Sequence, residues 1–430
     1  MITIMETGMQ NTTRLSLKKG IGLTCVTTKQ SKTSCLSAML VLPLGAEGRS
    51  ASALLPSVLR GCCRAYPGQQ AVAAQLDELY GARLEPIVRK RGEAQLVGFV
   101  ADVIDERFAM SDTQGLFEGT AHMLSDLLLC PGDVSKELLE RETEQLCARI
   151  AALPDDKRAW AVRRMYQHMC AAEAYSTVEL GDIGALRAVT PESLMQQYNK
   201  VITTAPLELF YCGSLPPEAV ARQLSAAMAS RPEIAHQVKP EFCAPHVAHE
   251  LKHVTEEEPV RQGKLTIGLR TGITAFDDDY PAMVLFNACF GGTTSSRLFR
   301  HVREKMSLCY YASSQTDKLK GVMAVTSGIE NESEPQARAE ILRQLEDIQG
   351  GGLTEREVEA ARRSVIASLR AMQDSPLALE NFYQTQAAAD LTGTLDGLIE
   401  RLAQLSADDV MQAARKAVPD TVYFLKGAGV

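Results

Sequence analysis
A chain of 430 residues with 45% hydrophobic and 23% charged side chains is long enough for two or more domains with ordinary buried cores. A formal net charge of -8 without any lysine- or arginine-rich block argues against nucleic acid as a partner, and no run of about 18 uninterrupted apolar residues offers a membrane span. The opening Met1-Ile-Thr-Ile-Met-Glu has no basic region followed by an apolar core, and the eleven cysteines contain no Cys-x-x-Cys pair, so reduced thiols in a cytoplasmic protein are expected.

Taken in chain order, the first half opens with strands and an apolar segment, Ser52-Ala-Leu-Leu-Pro-Ser-Val-Leu, followed by a helix ending Leu76-Asp-Glu-Leu-Tyr-Gly. His122 and His168 fall inside helical patterns and read as packing histidines. Val134-Ser-Lys-Glu-Leu-Leu-Glu-Arg-Glu predicts a long helix with a serine cap and glutamate in its first turn. Thr190-Pro-Glu-Ser then predicts a capped helix leading to the strand Leu207-Glu-Leu-Phe-Tyr-Cys-Gly. The stretch from Ser230 is proline-bearing, polar and aperiodic and reads as a linker.

The second half repeats this order. Glu256 to Glu258 and Asp277 to Asp279 are acidic runs, the latter expected to cap and complement the dipole of an apolar helix over residues 281–290. Gly291 and Gly292 stop that helix, Ser295 or Ser296 caps another beginning near Arg297, and this gives way around Ser307 to a strand opening Leu308-Cys309-Tyr310. His301 lies within this helix and is expected to be exposed. Leu353-Thr-Glu-Arg-Glu matches the long capped helix of the first half, and Leu405-Ser-Ala-Asp-Asp leads to the strand Thr421-Val-Tyr-Phe-Leu-Lys-Gly. Two homologous α+β domains are therefore expected, residues 1–229 and 253–430, joined by a linker at 230–252.

Two constellations bear on function. Arg303 near a helix end and Tyr310 at a strand start can project a guanidinium and a phenol into one site, where both donate to a peptide carbonyl, a carboxylate or a developing oxyanion. His249-Glu250-Leu251-Lys252-His253 matches His-Glu-x-x-His, which on a helix would set two imidazoles on one face with a glutamate as general base, and His246 would join that stripe. Against this zinc-hydrolase reading stand Lys252 at an inner position, no glutamate between Glu258 and Glu304 to act as a further ligand, and the overlap with the linker.

The run Ser295-Ser-Arg-Leu-Phe through Val302-Arg-Glu-Lys to Tyr310 resembles the pitrilysin and insulinase-type zinc peptidases, most closely the bacterial two-chain relatives of the mitochondrial processing peptidase. The resemblance implies two α+β domains, each a mainly antiparallel sheet covered by helices, together forming half of a clamshell. It implies substrate contacts for Arg303 and Tyr310 and assigns none to Arg297. Catalytic members carry His-x-x-Glu-His on a first-half helix with a glutamate downstream. Here no histidine precedes His122, the corresponding segment runs from Ser52 to Pro67, and Cys147, Ala148 and Arg149 occupy the region of the further glutamate. The expected function is thus a substrate-binding subunit that binds no cofactor itself, is inactive alone, and pairs with a homologous zinc-bearing chain to cleave short or unfolded peptides. The alternatives are a scaffold without a role in catalysis, a zinc hydrolase through His249 and His253, and a homodimer where no such partner exists.

Overall fold
The computed structural model describes residues 11–427 except 46, 111–113, 235, 246–249 and 308. Strands β1 (Asn11–Lys18), β2 (Ile21–Thr27), β3 (Thr33–Pro43), β4 (Arg83–Arg91), β5 (Ala94–Ile104) and β6 (Leu207–Gly213) form one sheet in the order β1-β2-β6-β3-β5-β4. Strands β7 (Lys252–Glu258), β8 (Gly263–Arg270), β9 (Cys309–Asp317), β10 (Val322–Ile329) and β11 (Val418–Gly427) form a second in the order β7-β11-β8-β10-β9. Without β1 the first order has the same topology as the second. In each, the closing strand lies parallel to the opening one and antiparallel to the next, β6 between β2 and β3 and β11 between β7 and β8. The duplication read from the sequence is therefore a duplication of fold.

The first-half helices are α1 (Arg49–Cys62), α2 (Gly68–Glu78), α3 (Leu116–Leu129), α4 (Lys136–Ala151), α5 (Lys157–Met169), α6 (Ile183–Arg187), α7 (Pro191–Thr204) and α8 (Pro217–Ala227). Those of the second half are α9 (Tyr280–Asn287), α10 (Glu334–Gln349), α11 (Glu355–Met372), α12 (Pro376–Ala388), α13 (Leu395–Gln404) and α14 (Ala407–Arg415). The expected caps are in place. Ser135 Oγ accepts the Leu138 N–H at the start of α4, and Thr354 and Glu357 bond reciprocally at the start of α11. Thr190 with Ser193 and Ser406 with Asp409 form capping boxes on α7 and α14. Asp279 departs from expectation: it precedes α9 without a side-chain cap bond, and its carboxylate binds Lys416 at 2.6 Å.

The central strands are buried along nearly their whole length, β3 reading Thr-Ser-Cys-Leu-Ser-Ala-Met-Leu-Val-Leu-Pro and β10 Val-Met-Ala-Val-Thr-Ser-Gly-Ile. Strands apolar on both faces need cover on both. On one face of each sheet this comes from helices of the same half. On the other it comes from a helix of the opposite half. The first compact unit consists of the chain through Ala151, Thr177–Glu241 and Ala371–Asp396, so α12 packs on β6 and β3. The second consists of Ala152–Ser176, Phe242–Arg370 and Gly397–Val430, so α5 packs on β8, β11 and β10. The units thus exchange one helix each rather than following the linear boundaries 1–229 and 253–430.

Polar contacts fix both exchanged helices. On the first sheet Gln384 Nε2 donates to Ser37 Oγ and to the Glu208 carbonyl, Tyr383 meets Thr12 at 3.1 Å, and buried Glu380 pairs with Arg89 at 2.6 Å. On the second, Arg164 Nε donates to Glu256 at 3.0 Å, Tyr423 donates to the same carboxylate at 2.7 Å, and Trp160 Nε1 donates to Glu258. The acidic run 256–258 thus receives this helix. His168 packs as expected, stacked on Tyr423, whereas His122 is exposed on α3. Gly268 leaves room for the approach, since a Cβ there would lie 2.4 Å from the Met165 sulfur. Beyond α5, Glu173 joins Arg270 and the fully buried Lys320, whose Nζ also donates to the Cys243 carbonyl. The linker is anchored as well: buried Arg231 donates to the carbonyls of Gly20 and Ala205.

Candidate functional site
The apolar run after Asp279 folds as α9 and continues as a wider π-helical turn, Ala288–Gly292, with Phe286 and Phe290 stacked at 5.5 Å in the core. Gly291 meets β9 so closely that a Cβ would fall 2.6 Å from the Ser314 nitrogen. Ser296 Oγ accepts the Phe299 N–H and starts the next helix, as the sequence predicts. Arg297 anchors that start. It is buried, and its guanidinium donates to Glu357, to Asp347 at 2.7 Å and to the Gly352 carbonyl. Burial pushes the Glu357 carboxyl up, but hydrogen bonds from Arg297 and Thr354 and the Arg297 charge bring it down to about 2.

Past this anchor the helix again widens into a π-helical stretch, Phe299–Lys305, a form that recurs at functional sites. Arg303 is exposed on it, its guanidinium 4.6 Å from the Phe299 ring centre. His301 is half-buried rather than exposed, and burial followed by the charges of Arg297 and Arg300 lowers its pKa. Ser307 then takes a left-handed conformation with φ of 50°, and β9 follows.

Strand β9 is an edge, bonded to β10 alone. Cys309 lies opposite Ile329 and Tyr311 opposite Gly328, which leaves Tyr310 as the extra residue of a β-bulge without a cross-strand partner. Bulges at sheet edges re-aim side chains. Tyr310 is 70% exposed, the most exposed of the chain's described large hydrophobic residues. Neither Arg303 nor Tyr310 makes a side-chain hydrogen bond or ion pair among the described residues. Arg158 from α5 lies 4.3 Å over the ring of the next residue, Tyr311, and donates to Ser313 Oγ at 2.7 Å. Nothing local in the sequence marks Arg158, because the strand it touches lies about 150 positions downstream.

Among the described residues, the other sequence candidates do not assemble a metal site. Residues 246–249, with His246 and His249, lie outside the described residues. His253 sits on strand β7 opposite Val422, with its Nδ1 3.0 Å from Arg338, so the second half of the His-Glu-x-x-His run is a strand rather than the helix that motif needs. Where the family's inverted motif would fall, α1 turns Ala53, Leu54, Leu55, Pro56, Val58 and Leu59 into the core. Burial raises the nearby thiols, Cys62 to about 11 and Cys147 above its ordinary value, which leaves them poor ligands at neutral pH. These residues do not fit a zinc ion, and among the described residues no group of three His, Cys, Asp or Glu could hold a metal.

Residues 188–365 match the family model described as the peptidase M16 inactive domain. The chain is 31% identical to the probable inactive metalloprotease YmfF of Bacillus subtilis over 425 residues, covering 97% of this chain and 99% of the relative. Among solved structures it is similar to a conserved protein of Enterococcus faecalis, with TM-score 0.86 and 25% identity over 97% of this chain and 99% of that one. It is also similar to a peptidase M16 inactive domain of Pseudomonas fluorescens, with TM-score 0.77 and 18% identity over 97% and 98%. A relative matched end to end, a duplicated fold and the Ser-Ser-Arg-Leu-Phe to Tyr310 run all point one way: this chain belongs to the M16 peptidase family, as a member without the inverted zinc motif.

Proposed function
We propose that this chain is the non-catalytic, substrate-binding subunit of a two-chain cytoplasmic metallopeptidase. A homologous partner carrying His-x-x-Glu-His would hold the zinc, and this chain would supply Arg303 and Tyr310 to the substrate held there. The observation that carries the reading is the bulge at Tyr310. An unpaired, exposed phenol on an edge strand, following by seven positions an exposed guanidinium that has no carboxylate partner among the described residues, is well suited to donate to a peptide oxygen. With two donors fixed by α9, the Arg297 anchor and β10, this chain can hold and orient a peptide carbonyl without a metal of its own.

Co-expression with a zinc-bearing homologue tests the proposal. The expected outcome is a stable heterodimer that cleaves unfolded peptides, with neither chain active by itself. A homologue whose activity is the same with and without this chain would overturn it.

A further inference from the structure
Burial raises both the Cys309 thiol and the Tyr311 phenol, the latter to about 12, and in each case a guanidinium opposes the shift: Arg303 at Cys309 and Arg158 at Tyr311. Arg158 thus lies against one chain neighbour of Tyr310, and the charge of Arg303 reaches the other. Arg158 comes from α5, is exposed, and is held in place twice, by stacking on Tyr311 and by its bond to Ser313, which in turn meets Thr326 on β10 at 3.1 Å. That bond uses Nη2. The N–H groups of Nε and Nη1 have no hydrogen-bond partner among the described residues. The adjacent acid, Asp156, is occupied in capping α5 through the N–H groups of Arg158 and Ala159.

We propose that Arg158 is a third substrate-contacting group beside Tyr310, and that it makes this site favour peptides with an acidic side chain close to the residue Tyr310 holds. The proposal rests on the reading that Tyr310 and Arg303 face the substrate. A planar fork matches a carboxylate in geometry, and one already fixed against a strand loses little freedom on binding it. In a chain of net charge -8, Arg303 and Arg158, which have no carboxylate partners among the described residues, bring two positive charges to the chain neighbours of one exposed tyrosine.

The test uses the reconstituted complex and peptides matched except for Glu, Gln or Lys at successive positions. Wild type should favour Glu over Gln at one position by about two- to fivefold in KM, the size of an exposed ion pair, and the preference should fade at high salt. Arg158→Gln should abolish it and Arg158→Glu should turn it toward Lys. Indifference of the wild type to Glu and Gln at every position would overturn the proposal, as would variants that slow all three peptides alike, the result for a structural clamp. Arg303→Ala and Tyr310→Phe in the same assay separate the two readings. If they leave turnover intact while the Arg158-dependent preference persists, the role given to that pair fails and the role of Arg158 stands.

Discussion

At the scale of single residues, three arginines within seven positions have different fates: Arg297 is buried in an ion-pair network, Arg300 shares Glu357 at the surface, and Arg303 is exposed with no carboxylate partner among the described residues. In the proposed two-chain complex, Arg303→Ala or Tyr310→Phe should each lower turnover by about ten- to a thousandfold, as for loss of one oxyanion donor, without changing the thermal midpoint. Lys305→Ala, exposed on the same turn, should leave turnover near wild type. Arg297 cannot serve as that neutral comparison. Its loss leaves Glu357 and Asp347 without their partner, so Arg297→Ala should cost about 3 kcal/mol or more in urea unfolding. The placement of Arg303 near a helix end and of Tyr310 at a strand start was legible because both sit in one short motif. The anchoring by Arg297 was not, since its partners lie 50 and 60 residues downstream and nothing near Arg297 marks them.

At the scale of elements, capped helices and their following strands were legible because a cap is a local event, written in a Ser or Thr and an acid or hydroxyl three positions later. Strand β7 was not. Leu251 to Val254 accepts a helical stripe as readily as a strand, and what decides is a parallel partner at Thr421–Gly427 that no local pattern reveals. The docking of α5 on that strand carries a pH prediction. Hydrogen bonds and charge from Arg164, with bonds from Tyr423 and His168, bring the Glu256 carboxyl from an ordinary 4.5 down to about 2. A depressed carboxylate stabilises above its unfolded value and loses that contribution as pH falls through its folded value. Amide exchange protection of α5 should therefore decline between about pH 5 and pH 2 in wild type. In Glu256→Gln it should be lower at neutral pH and flatter across that range. Equal pH profiles in the two proteins would rule out this carboxylate as the tie.

At the scale of the whole molecule, two homologous units were legible from the repeated order of signals, but the exchange of α5 and α12 was not, because the strands each helix covers lie in the opposite half of the sequence and no local pattern marks them. Cutting the gene within residues 230–252 should thus yield two fragments, each lacking the helix that covers one face of its sheet. Each fragment expressed alone should aggregate, and the two expressed together should recover a soluble complex, checked by size-exclusion chromatography. The same exchange sets a schedule for synthesis. When Glu241 has left the ribosome, Ser37, Arg89 and the Glu208 carbonyl still await partners on a helix that begins at Pro376. At the usual pace of translation that wait lasts ~10–30 s, with one face of a finished sheet open to water. Meanwhile α5, already made, has no sheet to settle on until β8, β10 and β11 follow. The nascent chain is therefore committed to finishing both units nearly at once, as Pro376 to Gly427 are made, and chaperones should meet it during that interval rather than before.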